Sequence, residues 1–125
     1  KALPHLKASP AAAVLNMSSV GAFQFAPFVS MYAAGKSALL SFTRSMAAAY
    51  AADGIRVNAI APGPVDTDMV RNNPQEVIDV MASNTLMKRL ANPDELVGTA
   101  LLLCSGAGSY ITGQVVIVDG GGTPR

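Results

Sequence analysis

Short apolar runs alternate with longer stretches of mixed character along this chain. Residues 12–17 and 55–61 are short runs dominated by apolar side chains, and residues 114–118 form a third run rich in β-branched residues. Serine, proline or glycine closes each of them. Short apolar runs that end at such residues are typical of strands that are buried on both faces of a sheet. The pattern predicts three strands.

Between the first two runs, apolar residues recur with the spacing of a helix. The chain is rich in alanine from about residue 31 to residue 52. Its larger apolar residues lie three or four positions apart, at Leu39, Phe42, Met46 and Tyr50. This spacing predicts an amphipathic helix, and Gly54 would end it with a left-handed cap.

Two further helices are predicted by their starting residues. Residues 73–76 and 92–95 each place an Asn at the N-cap, a Pro at the first helical position and a Glu at the third. The second helix would run to Leu103 and end near Gly106. The order of elements is then strand, helix, strand, helices, strand, which predicts a parallel α/β sheet. Three such strands make a small sheet, and the first should have an unpaired edge.

Composition is consistent with one domain that leaves apolar surface to be covered. The chain has 125 residues, of which 50% are hydrophobic and 14% charged. This is rich in apolar residues for a domain of this size. A buried sheet explains part of the excess, and surface that something outside this chain covers explains the rest. The chain opens at Lys1 without a Met and reads as beginning part-way through an element, as a truncated or processed product would.

Charge and cysteine content exclude several classes of function. The net charge of +1 and the dispersed basic residues give no reason to expect binding to nucleic acid or to a membrane surface. No apolar stretch approaches the ~18–20 residues that a membrane span needs. Cys104, the single cysteine, cannot form an internal disulfide, which favours a reducing, cytoplasmic location. It lies in an apolar run and is expected to be a small buried hydrophobe.

A phenol and an ammonium stand four residues apart at the start of the long helix. Tyr32 and Lys36 would share one helix face, and Ser19 lies 13 residues before Tyr32, just after the first strand. In open α/β sheets, ligands bind outside the carboxyl ends of the strands. The loop 62–67 follows the second strand and reaches the same rim. The Tyr–Lys spacing alone is common, so the prediction of a site depends on the nearby Ser19 and the loop 62–67.

With these residues the chain resembles the short-chain dehydrogenase/reductase family. The matching segments are 15–21, 32–36, 55–63 with Thr67, and 111–121, in the order and spacing of the family. The resemblance implies the C-terminal half of a Rossmann-like, doubly wound parallel sheet. Residues 1–125 would be a partial NAD(P)-binding domain with the catalytic Ser/Tyr/Lys region, and the N-terminal cofactor-binding half would be absent.

The resemblance implies a role for each member of the catalytic set. Tyr32 would be the general acid/base, although a free tyrosine has a pKa near ~10. A nearby cation lowers such a pKa by ~1–3 units, and Lys36 is that cation. Lys36 would also bind the nicotinamide ribose, and Tyr32 would contact the cofactor. Ser19 would hold the substrate oxygen, while Ser18 would cap the strand end.

The loop after the second strand is implied to carry the nicotinamide. Pro62 and Gly63 would let the backbone pass close to the ring, where a side chain would intrude. Backbone groups of Val65 would meet the carboxamide, and the Thr67 hydroxyl would reach the carboxamide or the phosphates. The Gly-rich phosphate turn, the residue that separates NAD from NADP and the upstream Asn of many members have no counterpart in residues 1–125. The cofactor is therefore NAD or NADP, not distinguished.

Several other residues receive structural interpretations. Asn58 should bridge neighbouring backbone, and residues 119–121 should form a tight turn. His5 has no partners at metal-ligand spacing, so no metal is expected. The aromatic residues Phe23, Phe25 and Phe28 could line a pocket or simply pack. The methionines Met69, Met81 and Met87 could face an adaptable pocket or fill the core.

Together these features predict an oxidoreductase that transfers a hydride between a nicotinamide cofactor and a small secondary alcohol or ketone. The isolated chain should have negligible activity, because the binding energy that positions the nicotinamide is missing. The alternative is a non-catalytic, self-associating module. Family members commonly form dimers and tetramers through the long helix and the final strand, so the resemblance implies a homo-oligomer.

Overall fold

The computed structural model describes residues 1–24 and 27–123. The strands are β1 (Ala13–Met17), β2 (Arg56–Pro62) and β3 (Val115–Val118). The helices are α1 (Leu3–Ala8), α2 (Ser30–Tyr50), α3 (Asp68–Arg71), α4 (Gln75–Ser83) and α5 (Val97–Cys104). All three predicted strands and the long helix are confirmed within two residues. The sequence prediction missed α1, although Pro4 stands at its start.

The three strands form one parallel sheet in the order β1-β2-β3. Ala13 pairs with Arg56 and Met17 with Ile60, while Ala59 pairs with Val115. Among the described residues β1 has one strand neighbour, so its outer edge is unpaired, as predicted. The predicted α/β class is confirmed.

Helices α2 and α5 cover opposite faces of the sheet. Asn16 of β1 donates its amide to the Thr43 hydroxyl of α2 at 2.9 Å. Arg56 of β2 donates to the Leu103 carbonyl of α5 at 2.7 Å. Successive side chains of a strand point to opposite faces of the sheet. Asn16 pairs with Ala59 and shares its face, and Arg56, three positions before Ala59, points to the other face. The two connections step in the same direction across the sheet but pass over opposite faces, so one crossover is right-handed and the other is left-handed.

The buried face of α2 differs from the predicted one. Leu40, Thr43 and Ala47 are the buried residues of this helix, whereas Phe42 is 53% exposed. The small side chains at 43 and 47 let the helix lie close to β2, and the Thr43 hydroxyl is satisfied by the Leu39 carbonyl. The apolar spacing predicted the helix, and Met46 and Tyr50 of the predicted stripe do pack against the core. The most buried positions nevertheless lie on the neighbouring stripe, which faces the sheet.

Of the predicted caps, two are confirmed and one is wrong. Gly54 has a left-handed φ of 72°, and Asn92 forms a complete capping box with Glu95. Asn73 does not cap α4. Its amide instead donates to the Met69 and Val70 carbonyls at the end of α3, because the chain turns between two closely spaced helices there.

Asn58 and Cys104 test two predictions of burial. The Asn58 amide nitrogen donates to the Ile111 carbonyl, and its oxygen accepts from the Gln114 N–H. Asn58 is almost fully buried, so its predicted bridging role is confirmed. Cys104 is exposed, and the prediction that it is buried is wrong. Leu103 alone is buried in α5, because the described residues cover only one side of this apolar helix.

Candidate active site

A cavity of about 550 Å³ opens where the three strands end. Parallel strands bring their carboxyl ends to one edge of the sheet. Ser19 follows β1, Gly63 follows β2 and Asp119 follows β3, and all three line this cavity. The segment from α3 to α4 closes the opposite side with Met69 and Met81.

Tyr32 and Lys36 lie together at the edge of this cavity. Tyr32 lines it, and the Lys36 ammonium nitrogen lies 5.6 Å from the centroid of the Tyr32 ring. The same ammonium donates to the Met17 carbonyl at 2.8 Å. The last carbonyl of β1 therefore holds the lysine beside the phenol. Lys36 itself is not among the residues that line the cavity.

Ser19 and Ser18 have separate environments. The Ser19 hydroxyl oxygen accepts a hydrogen bond from the Gly21 N–H at 3.1 Å. A Cβ at Gly21 would lie 3.5 Å from this oxygen and 3.4 Å from Cε1 of Tyr32, so the hydroxyl and the ring flank one small space. Ser18 is buried and donates to the Lys36 carbonyl at 3.1 Å. It ties α2 to the end of β1.

The loop after β2 is held mainly by backbone contacts. Val65 forms a parallel bridge with Ala91, and Asp66 N–H donates to the Ala91 carbonyl at 2.8 Å. Val65 and Thr67 line the cavity, and the Thr67 hydroxyl lies 3.4 Å from the Val65 carbonyl oxygen. Pro62 is the last residue of β2 and does not line the cavity.

Gly63 is constrained by the neighbouring strand. A Cβ at this position would lie 2.7 Å from both Cα and Cβ of Asp119. The sequence interpretation attributed the missing side chain to a nearby nicotinamide ring. The structure supplies a different reason, because the end of β3 already occupies that direction.

Asp119 is a cavity residue that the sequence analysis treated only as part of a turn. The turn is confirmed, since Gly120 and Gly121 have positive φ values and Asp119 oxygens accept from the N–H groups of Gly121 and Thr123. Burial acts to raise the pKa of Asp119, but hydrogen bonding by the Thr123 side chain and by the backbone of residues 121–123 together outweighs it, and the pKa is lowered. The position of Asp119 at the end of β3, on the same rim as Ser19, was the available signal.

The aromatic and methionine side chains divide between wall and surface. Met69 and Met81 line the cavity, while Met87 lines a neighbouring groove. Phe28 is 99% exposed, and neither it nor Phe23 lines the cavity. Phe25 lies outside the described residues.

Charged groups around the cavity pair with one another. Arg71 donates to Asp66 at 2.7 Å, and its hydrogen bonds lower the pKa of that carboxyl group. Arg89 pairs with Glu95 at 2.6 Å in the neighbouring groove. Within residues 1–24 and 27–123, no group of three or more His, Cys, Asp or Glu side chains could hold a metal ion. None of the helices in that same part of the chain is both long and apolar enough to cross a membrane.

Comparison with known proteins identifies the family. The family model described as enoyl-(acyl carrier protein) reductase matches residues 1–123. The chain therefore belongs to this family, and its membership of the short-chain dehydrogenases/reductases is confirmed.

Curated relatives and solved structures agree with this assignment. The cis-4-hydroxycyclohexanecarboxylate dehydrogenase of Sinomonas cyclohexanicum is 41% identical over 98% of this chain and 49% of its own length. A 3-oxoacyl-[acyl-carrier protein] reductase from Brucella melitensis with bound NAD has a TM-score of 0.87 and 38% identity, over 98% of this chain and 45% of its own. An NADPH-bound short chain oxidoreductase from Pseudomonas aeruginosa has a TM-score of 0.90 and 29% identity, over 98% and 50%. The chain spans about half the length of the relatives it matches.

Proposed function

We propose that this chain forms the catalytic, nicotinamide-facing half of an NAD(P)-dependent oxidoreductase that acts on a secondary alcohol or ketone. One observation carries the proposal. Tyr32 and Ser19 line the same cavity at the carboxyl edge of the sheet, and the Lys36 ammonium lies 5.6 Å from the Tyr32 ring centroid. Membership of an oxidoreductase family supports it.

The described residues fit the nicotinamide end of such a cofactor. Val65 and Thr67 form one wall of a cavity of about 550 Å³, within the ~300–1,000 Å³ typical of ligand pockets. Val65 backbone groups and the Thr67 hydroxyl would hold the carboxamide, and Lys36 would bind the ribose. The bound cofactor would supply or accept a hydride at the substrate carbon. Relatives with bound NAD and with NADPH leave both cofactors open.

The catalytic residues of this chain would transfer the proton and bind the substrate oxygen. In the reducing direction Tyr32 donates its phenolic proton to the substrate oxygen, and in the oxidising direction it removes that proton. The Lys36 ammonium, 5.6 Å from the centroid of the Tyr32 ring, would hold the nicotinamide ribose beside that ring. Ser19 holds the substrate oxygen, since its own O–H remains able to donate while its oxygen accepts from Gly21.

The test uses the full-length protein in which this chain occurs. It is assayed with NAD(H) and NADP(H) and a panel of hydroxy and keto compounds. The Tyr32→Phe variant should lose about 10²–10⁴ of kcat, the range that general acid/base catalysis contributes. Tyr50→Phe is the matched control, because Tyr50 ends the same helix far from the cavity. If Tyr32→Phe turns over as fast as the wild type, the assigned role is wrong.

The 125 residues alone are proposed to be a partial domain without useful turnover. The lining of the cavity, as far as the structure describes it, contains no Lys, Arg or His to bind a pyrophosphate. Remote cofactor contacts that position the reacting ring are therefore missing. Turnover by the isolated chain at ordinary cofactor concentrations contradicts this proposal.

Self-association is a second candidate, favoured by apolar surface on the helices. Phe42 of α2 is 53% exposed, and Leu101 and Val97 of α5 are 62% and 48% exposed. Copies of the chain would cover these side chains in a dimer or tetramer, in agreement with the oligomers expected from the family. Sedimentation of the purified chain tests this, and a cooperatively unfolding monomer counts against it. The proposed location is cytoplasmic, on the basis of the single free thiol at Cys104.

A further inference from the structure

The polar side chains of the cavity are largely occupied by the protein itself. Asn73 donates its amide to the Met69 and Val70 carbonyls. The Thr85 hydroxyl donates to the Ala82 carbonyl at 2.9 Å and accepts from the Arg89 N–H at 3.3 Å. These groups therefore stabilise the loops that form the wall instead of presenting free donors to a ligand.

The rest of the wall is mainly apolar. Its apolar side chains come from the segment between β1 and α2, from the loop after β2 and from the segment α3–α4, and they are Val20, Val29, Pro64, Val65, Met69, Val70 and Met81. An apolar wall gives no hydrogen bonds to replace the water around an ionised group. Burying a charge without a partner is costly, so such a wall favours neutral ligands.

The charge of the wall also opposes anions. None of the described residues that line the cavity is Lys, Arg or His, whereas the acidic residue Asp119 is among them. Backbone N–H groups of Gly121 and Thr123 keep that carboxylate in place. Of the nearby cations, Arg71 pairs with Asp66. Lys36 keeps its charge, but it is not among the residues that line the cavity, and its ammonium donates to the Met17 carbonyl.

We propose that this cavity selects uncharged, apolar ketones or secondary alcohols and rejects substrates that carry a carboxylate. The proposal rests on the proposed function, because it concerns the substrate of the same site. The reacting oxygen would meet polar groups at Ser19 and Tyr32, and the rest of the substrate would lie mainly against apolar side chains. The Sinomonas relative, named for a hydroxy-carboxylate, would then differ from this chain in substrate class.

A matched pair of ligands tests the selection. Methyl 4-oxocyclohexanecarboxylate and 4-oxocyclohexanecarboxylate differ mainly in charge. Binding of each to the full-length protein is measured by ligand-observed NMR, and turnover of each is measured on the same protein. The ester should have a Kd at least about tenfold lower, and a kcat/KM at least about tenfold higher, than the carboxylate.

A cation placed in the wall should reverse the preference. Met81→Lys replaces one unbranched side chain by another, and it should improve carboxylate binding by about tenfold. Met87→Lys is the matched control, because Met87 lines the neighbouring groove, and Met81→Leu controls for the loss of the thioether. Neither control should change the ratio of ester to carboxylate binding.

The outcomes separate this inference from the proposed function. Equal or tighter binding of the carboxylate overturns the inference, and so does the absence of binding of either ligand. Preferential binding of the ester without turnover on the full-length protein supports the inference and contradicts the proposed function. An unchanged ratio in Met81→Lys also overturns the inference, because the wall would then not set the selection.

Discussion

Gly63 lies directly against Asp119, where the ends of β2 and β3 meet. A Cβ added at Gly63 would stand 2.7 Å from Cα and from Cβ of Asp119. The contact is with backbone, so no rotation of a flexible side chain could relieve it. Both residues line the cavity, and their contact therefore connects the packing of the sheet to the shape of the candidate active site.

Gly63→Ala should destabilise the chain by about 1–3 kcal/mol, the usual cost of overpacking. The two strand ends would have to separate, and the turn that begins at Asp119 would move with them. The free energy of unfolding from urea denaturation measures the effect. Gly98→Ala is the control, because a Cβ at Gly98 in α5 would meet nothing within 4 Å. That variant should be stabilised by about 0.5–1 kcal/mol, and equal behaviour of the two contradicts the packing argument.

Asn58→Ala should cost about 2–3 kcal/mol in the free energy of unfolding. The substitution leaves the buried Gln114 N–H without its partner, and an unsatisfied group of this kind costs about 1–3 kcal/mol. The Ile111 carbonyl loses the hydrogen bond from Asn58 but keeps the one from Arg56. Asn84→Ala, at an exposed position, should change the same quantity by less than about 0.5 kcal/mol. Comparable losses in the two variants would rule out a special role for the Asn58 bridge.

Glu95 should make stability depend on acid pH. Hydrogen bonds from Arg89 and from the Asn92 N–H lower the pKa of Glu95 from 4.5 to about 2. A folded pKa below the unfolded one means that the stabilisation is present above pH 4.5 and is lost as the pH falls towards 2. The stability difference between wild type and Glu95→Gln should therefore shrink between pH 5 and pH 2.5.

Unfolding by urea at several pH values measures this difference. Glu76→Gln is the control, since Glu76 stands in the first turn of α4 without a recorded ion pair among the described residues. A difference for Glu95→Gln that stays constant with pH is incompatible with the assigned ion pair and cap.

Lys36→Met should lower kcat/KM for alcohol oxidation by the full-length protein by about 10²-fold, because the proposed contact that positions the nicotinamide ribose beside Tyr32 is lost. The Lys36 ammonium lies 5.6 Å from the centroid of the Tyr32 ring. Lys7→Met offers a matched control. Lys7 lies 5.9 Å from the ring centroid of Tyr50, a similar pair at the other end of α2. An equal loss of kcat/KM in both variants, or a loss in neither, contradicts the role proposed for Lys36.

Local patterns predicted the elements of this fold well. The three strands and the long helix follow from runs and spacings that are fixed by neighbouring residues, and the cap at Asn92 follows from a four-residue pattern. Predictions of which helix face packs against the sheet were less successful. Phe42 and Cys104 are exposed, because helix periodicity does not tell which stripe a sheet will cover or whether anything covers the other side.

For the candidate site, the sequence identified the residue types and their order along the chain, since Ser19, Tyr32 and Lys36 stand at strand-end and helix-start positions that local patterns locate. Only the tertiary structure determined their surroundings. These are the hydrogen bond from Lys36 to the Met17 carbonyl, the contact of Gly63 with Asp119 and the position of Asp119 in the cavity wall. The physical reason is that hydrophobic spacing acts between near neighbours, whereas the register of parallel strands brings residues from distant parts of the chain to one edge.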